Sequence, residues 1–493
     1  MSLPAGQEAL MLLEKIVAQA QATPQKTAYI HNGVACSYAE FAQALAHTRQ
    51  FFAQQRLPAH SVVVLCVEHL AQAWVLGIAL RNLGLTTVSV GQASEVDQLG
   101  LDTISCLLTW APENPPDLSA QAARGTCRWL NVPASFHPTD APAEPTPAQH
   151  PGGHIIQTSG TTGTYKKILR DAVAEASTLD LHAQINGISA ESVVYVRDFP
   201  LWTAGGYRWP LLSWHQGASV VFQQGQDFHL PLLEQALTHV FATPMTLMFV
   251  SHAPELPVRR NDAMRLLVTG GAMPRTLVAA LKQRLTQQVY AVLASTEALT
   301  VSATRIDDLD DLARHQIHPA RQVQVVDETE QLLPAGKVGL LRIKILDGVS
   351  GYLNDVPASR AFFRDGYFYP GDLAVFHADG RLALCGRVTD VINVLGSKIA
   401  TAPLEAALQN QLTVDAVCLL SLAPPGADEE VYVAIESQRN LTEAELQTAA
   451  QTLLAHLGRV HFHFFRQLPR NPMGKVLRLA LRQQLLARLA RPD

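Results

Sequence analysis

His154-Ile155-Ile156-Gln157-Thr158-Ser159-Gly160-Thr161-Thr162-Gly163-Thr164-Tyr165-Lys166-Lys167 is the stretch on which the fold turns. A short apolar run, His154–Gln157, reads as a strand and leads straight into a loop of glycines and hydroxyls. Gly160 and Gly163 permit a tight turn with backbone N–H groups pointing inward. The Ser and Thr hydroxyls add donors, and Lys166 and Lys167 add positive charge. Such a loop suits a polyphosphate. It is not a Walker A loop, because GxxxxGK[ST] is not met.

The flanking segments say what kind of fold carries this loop. Tyr38–Phe52 has amphipathic helical spacing, with Ser37 placed to cap it. Ser61–Cys66 is a short β-branched apolar run, as in a buried parallel strand. Leu70–Leu83 is helical again, and Thr86–Val90 reads as another strand. Strands alternating with helices predict an α/β fold with a largely parallel sheet. Prolines recur from Pro112 to Pro151, and Phe136–Pro151 reads as an irregular surface connection. Beyond Gly153 the alternation resumes to about Val301. Gln322–Val326 and Gly339–Ile345 then look antiparallel. From Gly386 a small α+β unit is expected, with strands at Val414–Leu420 and Glu430–Glu436 and helices at Thr442–Leu457 and Val476–Ala490.

The chain has 493 residues, more than one compact core holds, and length alone suggests about two to four domains. It is 48% hydrophobic and 16% charged, so it folds rather than remaining disordered. A net charge of −5 makes nucleic acid a poor partner. Six scattered cysteines show no ligand-like spacing and read as thiols of a reducing compartment. Met1–Leu13 has no signal-peptide pattern, and no apolar run is long enough to span a bilayer. A cytoplasmic protein without membrane association follows; the oligomeric state is not legible.

Thr158–Lys166 resembles the phosphate loop of the adenylate-forming superfamily: acyl- and aryl-CoA synthetases, peptide-synthetase adenylation domains and beetle luciferases. Five further stretches resemble that family's motifs in its order and spacing. Gly270-Gly271-Ala272 resembles the adenine-side turn, and Ser295-Thr296-Glu297 the end of Tyr-Gly-x-Thr-Glu. Asp365–Leu373 resembles the stretch ending in Thr-Gly-Asp-Leu. Gly386-Arg387, Asp390, Ile392-Asn393 and Gly396 resemble the hinge, and Pro472-Met473-Gly474-Lys475 the C-terminal lysine motif. The resemblance implies an N-terminal region, 1–385, of two α/β sheets plus a β-barrel, and a small mobile α+β lid, 386–493. It implies ATP and Mg2+ as cofactors. Ser159, Gly160, Thr161, Thr162, Gly163 and Lys166 would cradle the β- and γ-phosphates. Thr296 would donate to the α-phosphate, Glu297 would hold the metal with Thr158 near it, Asp372 would accept from the ribose hydroxyls, and Arg387 would support ribose or phosphate. Lys475 would place its ammonium between carboxylate and α-phosphate.

The pattern departs from the family at several positions. Leu293 and Ala294 stand where the family has Tyr and Gly. Pro370 replaces Thr, Tyr165 and Lys167 replace Pro and Gly, and Thr389 replaces the usual hinge Asp or Lys. Tyr290, three residues before Leu293, is expected on the other face of an extended strand. Trp202, Thr203, Ala204, Gly205 and Gly206 lie in a segment that resembles the acid-binding stretch of the synthetases. No Asp aligns there to pair a substrate ammonium; Asp198 is too early. The expected substrate is therefore a small carboxylic acid without an α-amino group. If Trp202, Tyr207 and Trp209 line the pocket, an aryl or short apolar acyl group fits; they equally suit helix core packing. The acceptor is expected to be the thiol of CoA, or else the phosphopantetheine of a carrier protein. No carrier domain is expected to be fused, because the chain ends soon after Lys475. A catalytically silent nucleotide-binding homologue is the reading of another class.

Overall fold

Val62–Cys66, a run of Val-Val-Val-Leu-Cys buried along almost its whole length, lies in the interior of a six-stranded sheet in the computed structural model. The structure describes residues 12–101, 103–110, 127–132, 151–158, 165–197, 199–253, 255–271, 273–388, 391–394, 397–422, 430–470 and 476–489. The six strands run in the order Arg128–Val132, Ile104–Trp110, Val62–Cys66, Thr86–Ser89, His154–Thr158 and Lys166–Arg170. All neighbours are parallel except the last pair, an antiparallel hairpin in which Thr158 faces Lys166. Thr158 and Lys166, which flank the glycine-rich stretch, are therefore the last described pair of a hairpin on the sheet's edge.

A second, eight-stranded sheet repeats this plan. Its central strands, among them Val193–Val196, Ser219–Phe222, His239–Ala242 and Arg265–Val268, are parallel. One edge is again an antiparallel hairpin, Val289–Ser295 with Leu299–Arg305, and its tip carries Thr296 and Glu297. The two motif-bearing tips thus sit at equivalent places in two sheets. Helices Leu70–Asn82, Ala172–Asn186 and Ala204–His215 lock together through buried charge. Glu175 accepts from Arg81 Nη2 at 3.1 Å, Arg208 Nη1 at 3.1 Å and Tyr207 Oη at 2.7 Å.

The third sheet is antiparallel and has seven strands. Val323–Val326 pairs with Gly339–Lys344, matching the expectation for this stretch. Where the resemblance implies a barrel, the described strands form an open path from Arg314–His315 to Phe363–Arg364. Beyond it, Ala416–Leu422, Glu430–Glu436 and Val460–Phe465 form a three-stranded sheet packed with Thr401–Leu412 and Arg478–Leu489.

The expected helix over Thr442–Leu457 is shorter. It is α-helical at Glu443–Ala449, widens to a π-turn at Ala450–Leu454 and tightens to 3-10 at Ala455–Leu457. Thr448 and Thr452 bond back to the carbonyls of Ala444 and Thr448, each at 2.8 Å, a habit that bends helices. The irregular connection expected over Phe136–Pro151 lies, as far as His150, outside the described residues. No helix among the described residues is long and apolar enough to cross a membrane.

Candidate nucleotide and acid site

Lys166 opens the second strand of the glycine-loop hairpin, and its ammonium lies 3.8 Å from the centre of the Phe362 ring and 4.9 Å from that of Tyr352. Burial lowers its pKa, while the charges of Glu297 and Asp355 pull it back up. Glu297, only 8% exposed, accepts from Tyr352 Oη at 2.7 Å through Oε1. Its Oε2 has no hydrogen-bond donor among the described residues. Burial and the neighbouring Glu297 carboxylate push the Tyr352 phenol well up, so it is a proton donor at any ordinary pH.

Thr296 and Glu297 are fixed by their backbone. The fully buried Arg170, on the same strand as Lys166, donates to the carbonyl of Thr296 and, at 3.1 Å, to that of Glu297. Its other arm ion-pairs with Asp347, in the loop after Gly339–Lys344. One guanidinium therefore ties together the six-, eight- and seven-stranded sheets. Ser295 accepts from Ala298 N–H at 2.9 Å, which closes the turn beneath Glu297.

Asp372 and Arg387 are cross-strand partners in the third sheet, and Arg387 Nε donates to Asp372 Oδ1 at 3.2 Å. Both are partly exposed. Gly371 precedes them at φ +78°, where a side chain would be strained. Arg387 also acts electrostatically on Lys166 and Tyr352. Lys166, Glu297, Asp372 and Arg387, spread over 222 residues of sequence (166 to 387), thus form one cluster. Gly270 turns at φ +89° after Arg265–Val268, with Gly271 next to it near Pro244. Ser159, Gly160, Thr161, Thr162, Gly163, Ala272, Thr389, Asp390, Gly396 and Lys475 lie outside the described residues, as does Asp198.

The acid segment divides. Tyr207 and Trp209 are core residues: Tyr207 belongs to the Glu175 network, and Trp209 stacks on Phe241 at 3.8 Å. Thr203 caps the helix Ala204–His215 by accepting from Gly206 N–H at 3.2 Å. A Cβ on Gly205 would meet the Phe199 ring at 2.2 Å, and one on Gly206 the Pro200 carbonyl at 2.2 Å. These glycines let the start of the helix lie close against the preceding Phe199-Pro200 segment. Trp202 is different: half-buried, its ring covers Gly91, where a Cβ would lie 3.2 Å from it.

Tyr352, Phe362 and Arg170 were not singled out in the sequence. The turn Gly351-Tyr352-Leu353-Asn354 offered a signal, an aromatic set in a glycine and asparagine turn. Arg170 offered none, since its partners are 126 or more residues away.

A family model described as AMP-binding enzyme matches residues 16–353. The chain belongs to the AMP-binding enzyme family. Among the family's curated members, tyrocidine synthase 3 of Brevibacillus parabrevis is 23% identical over 505 residues, covering 95% of this chain and 8% of that protein. The chain therefore spans less than a tenth of that relative's length. A 4-hydroxybutyrate–CoA ligase 2 of Metallosphaera sedula is 26% identical over 409 residues, 76% of this chain and 72% of the ligase. Among solved structures, the amide bond synthetase McbA from Marinactinospora thermotolerans superposes with a TM-score of 0.80 at 20% identity, covering 96% of this chain and 99% of that one. The AMP-binding enzyme fold thus holds across the chain, including the part beyond residue 353.

Proposed function

We propose that the chain activates a carboxylic acid with ATP and passes the acyl group to the thiol of CoA. A carboxylate oxygen of the acid attacks the α-phosphorus, the bond to the β-phosphate oxygen breaks, and pyrophosphate leaves with the electron pair. The thiol sulfur then attacks the activated carbonyl and displaces AMP. The observation that carries this reading is the convergence of Lys166, Glu297, Asp372 and Arg387 where the sheets meet. Lys166 and Arg387 supply positive charge for phosphates, and the Asp372 carboxylate suits ribose hydroxyls. Thr296 and Lys475 serve the α-phosphate, where charge builds in the transition state.

A magnesium ion fits the residues present. Among the described residues no cluster of three or more His, Cys, Asp or Glu could hold a metal alone. Glu297 offers one oxygen without a donor among the described residues, and Mg2+ takes one or two carboxylates plus the substrate's phosphates. Glu297 would hold it, with Thr158 nearby, and it would spread the charge of the polyphosphate.

We place the boundary between the ATP-binding part and the lid at 385/386. For the acid, the segment 199–209 carries no carboxylate, which supports a substrate without an α-ammonium. Trp202 over Gly91 is the aromatic of that segment left to face such an acid. The test is to incubate the chain with ATP, Mg2+ and an acid library and weigh the acyl-adenylates formed. CoA, a phosphopantetheinylated carrier protein or an amine is then added. Transfer to CoA supports the reading; transfer only to a carrier or an amine moves the acceptor while keeping adenylation. No adenylate from any acid overturns it and favours a silent nucleotide-binding chain.

A further inference from the structure

Glu297 and Lys166 carry opposite charges, influence one another electrostatically and yet form no ion pair. Tyr352 contacts both. Its hydroxyl is spent on Glu297 Oε1 at 2.7 Å, and its ring stands beside the Lys166 ammonium at 4.9 Å. Phe362 completes a corner around that ammonium, its ring 6.1 Å from Tyr352 and nearly perpendicular at 79°. Aromatic faces attract a cation without donating or accepting a proton.

Tyr352 is itself held rigidly. It is 6% exposed, and its N–H donates to Ser359 Oγ at 2.8 Å. Ser359 Oγ packs so close that a Cβ on Gly351 would meet it at 2.6 Å. Leu353 N–H donates to the carbonyl of Lys167 at 2.8 Å, so the Tyr352 turn is stitched to the strand that bears Lys166.

We propose that Tyr352 is a positioning residue that keeps Glu297 and Lys166 apart and aimed, one at the cation and the other at the phosphates of a magnesium–nucleotide complex. The inference rests on the adenylation reading of this site. Outer-sphere hydrogen bonds orient a ligating carboxylate, and losing one costs about 10- to 100-fold in metal affinity. Without the phenol, Glu297 is free to swing onto Lys166, and each charge then cancels the other.

Tyr352→Phe removes the hydroxyl and keeps the ring. ATP binding is measured by calorimetry as magnesium is varied. The magnesium needed for half-maximal binding rises about tenfold or more, while ATP affinity at saturating magnesium stays close to wild type. Glu297→Gln raises the midpoint too, and Tyr352→Phe adds nothing on that background. Phe362→Leu does the converse: it weakens ATP binding at saturating magnesium by about 2- to 30-fold and leaves the midpoint in place. A Tyr352→Phe midpoint within about twofold of wild type, or effects that multiply in the Tyr352→Phe, Glu297→Gln double variant, overturns the proposal. If Tyr352→Phe does not fold, by its melting curve, Phe362→Leu decides: unchanged ATP binding sinks the proposal. Normal wild-type binding with these failures leaves adenylation standing. A wild-type chain that takes no magnesium-dependent ATP removes both.

Discussion

Leu293 and Tyr290 lie on one strand but pack in different places. Leu293 packs against the apolar cluster of the third sheet, with Tyr352 and Phe363, and Tyr290 against the cluster under the eight-stranded sheet. The Arg265 guanidinium lies 5.4 Å from the Tyr290 ring centre, fixing it there. Tyr290 is therefore packed away from the surroundings of residue 293. Leu293→Tyr should supply the stacking that leucine cannot, about 0.5–1.5 kcal/mol, and lower the ATP KM about 2- to 13-fold. A raised KM in steady-state pyrophosphate release would show that residue 293 does not face the base. Lys475→Ala tests charge rather than shape. It should slow adenylate formation about 10²- to 10³-fold, the scale of one lost preorganised contact, and spare thioester formation from supplied acyl-adenylate. Single-turnover rates for the two halves decide it; equal slowing would mean that Lys475 is not confined to the first half.

At the scale of elements, the sequence was legible where the pattern is local. The Ser37 cap is a full capping box, with Glu40 accepting from Ser37 N–H at 2.7 Å. The strands at 62–66, 86–89 and 154–158 fall within a residue of their expected bounds. The motif turns could be read because glycine, hydroxyl and carboxylate report their chemistry on the spot. Tyr352 could be read only as an aromatic in a turn and Arg170 not at all, because their importance is conferred by chain brought from 55 and 126 residues away. The same holds for the helix network around Glu175. Its carboxylate joins three helices across gaps of 94 and 33 residues. Removing one partner of a buried ion pair strands the others, and Glu175→Ala leaves two guanidinium groups unpaired. It should cost about 3–5 kcal/mol in urea unfolding, well above a simple cavity of that size. A loss under about 1 kcal/mol would mean that water replaces the carboxylate at little cost.

Across the whole molecule, the buried histidines are expected to lower stability in acid. His182 faces Arg208 Nη2 at 3.0 Å; burial first, then the charges of Arg208 and Arg321, push its pKa to about 2. His239, in the eight-stranded sheet, is pushed to about 4 by burial and by Arg265. His315, in the third sheet, is pushed to about 4 by burial. Burial, then Arg81, holds His154 well below the usual range. In the unfolded chain each titrates near 6.5. The folded values lie below the unfolded one, so the sign is fixed. Above about pH 6.5 these groups are neutral in both states and contribute no slope. Below it the unfolded chain binds protons that the folded chain refuses, and stability falls. His182, His239 and His315 each cost about 1.4 kcal/mol per pH unit, so by pH 5 each has removed about 2 kcal/mol. The three together remove about 6 kcal/mol, comparable with the whole stability of a typical domain, and His154 acts in the same direction. Urea midpoints should therefore drop steeply from pH 6.5 to 5 and stay level from 7 to 8. His315→Gln keeps a polar group of similar reach, does not titrate, and should lessen the acid slope by about 1.4 kcal/mol per pH unit. A flat profile down to pH 5, or a slope untouched by that change, would place the acid response in the carboxylates instead.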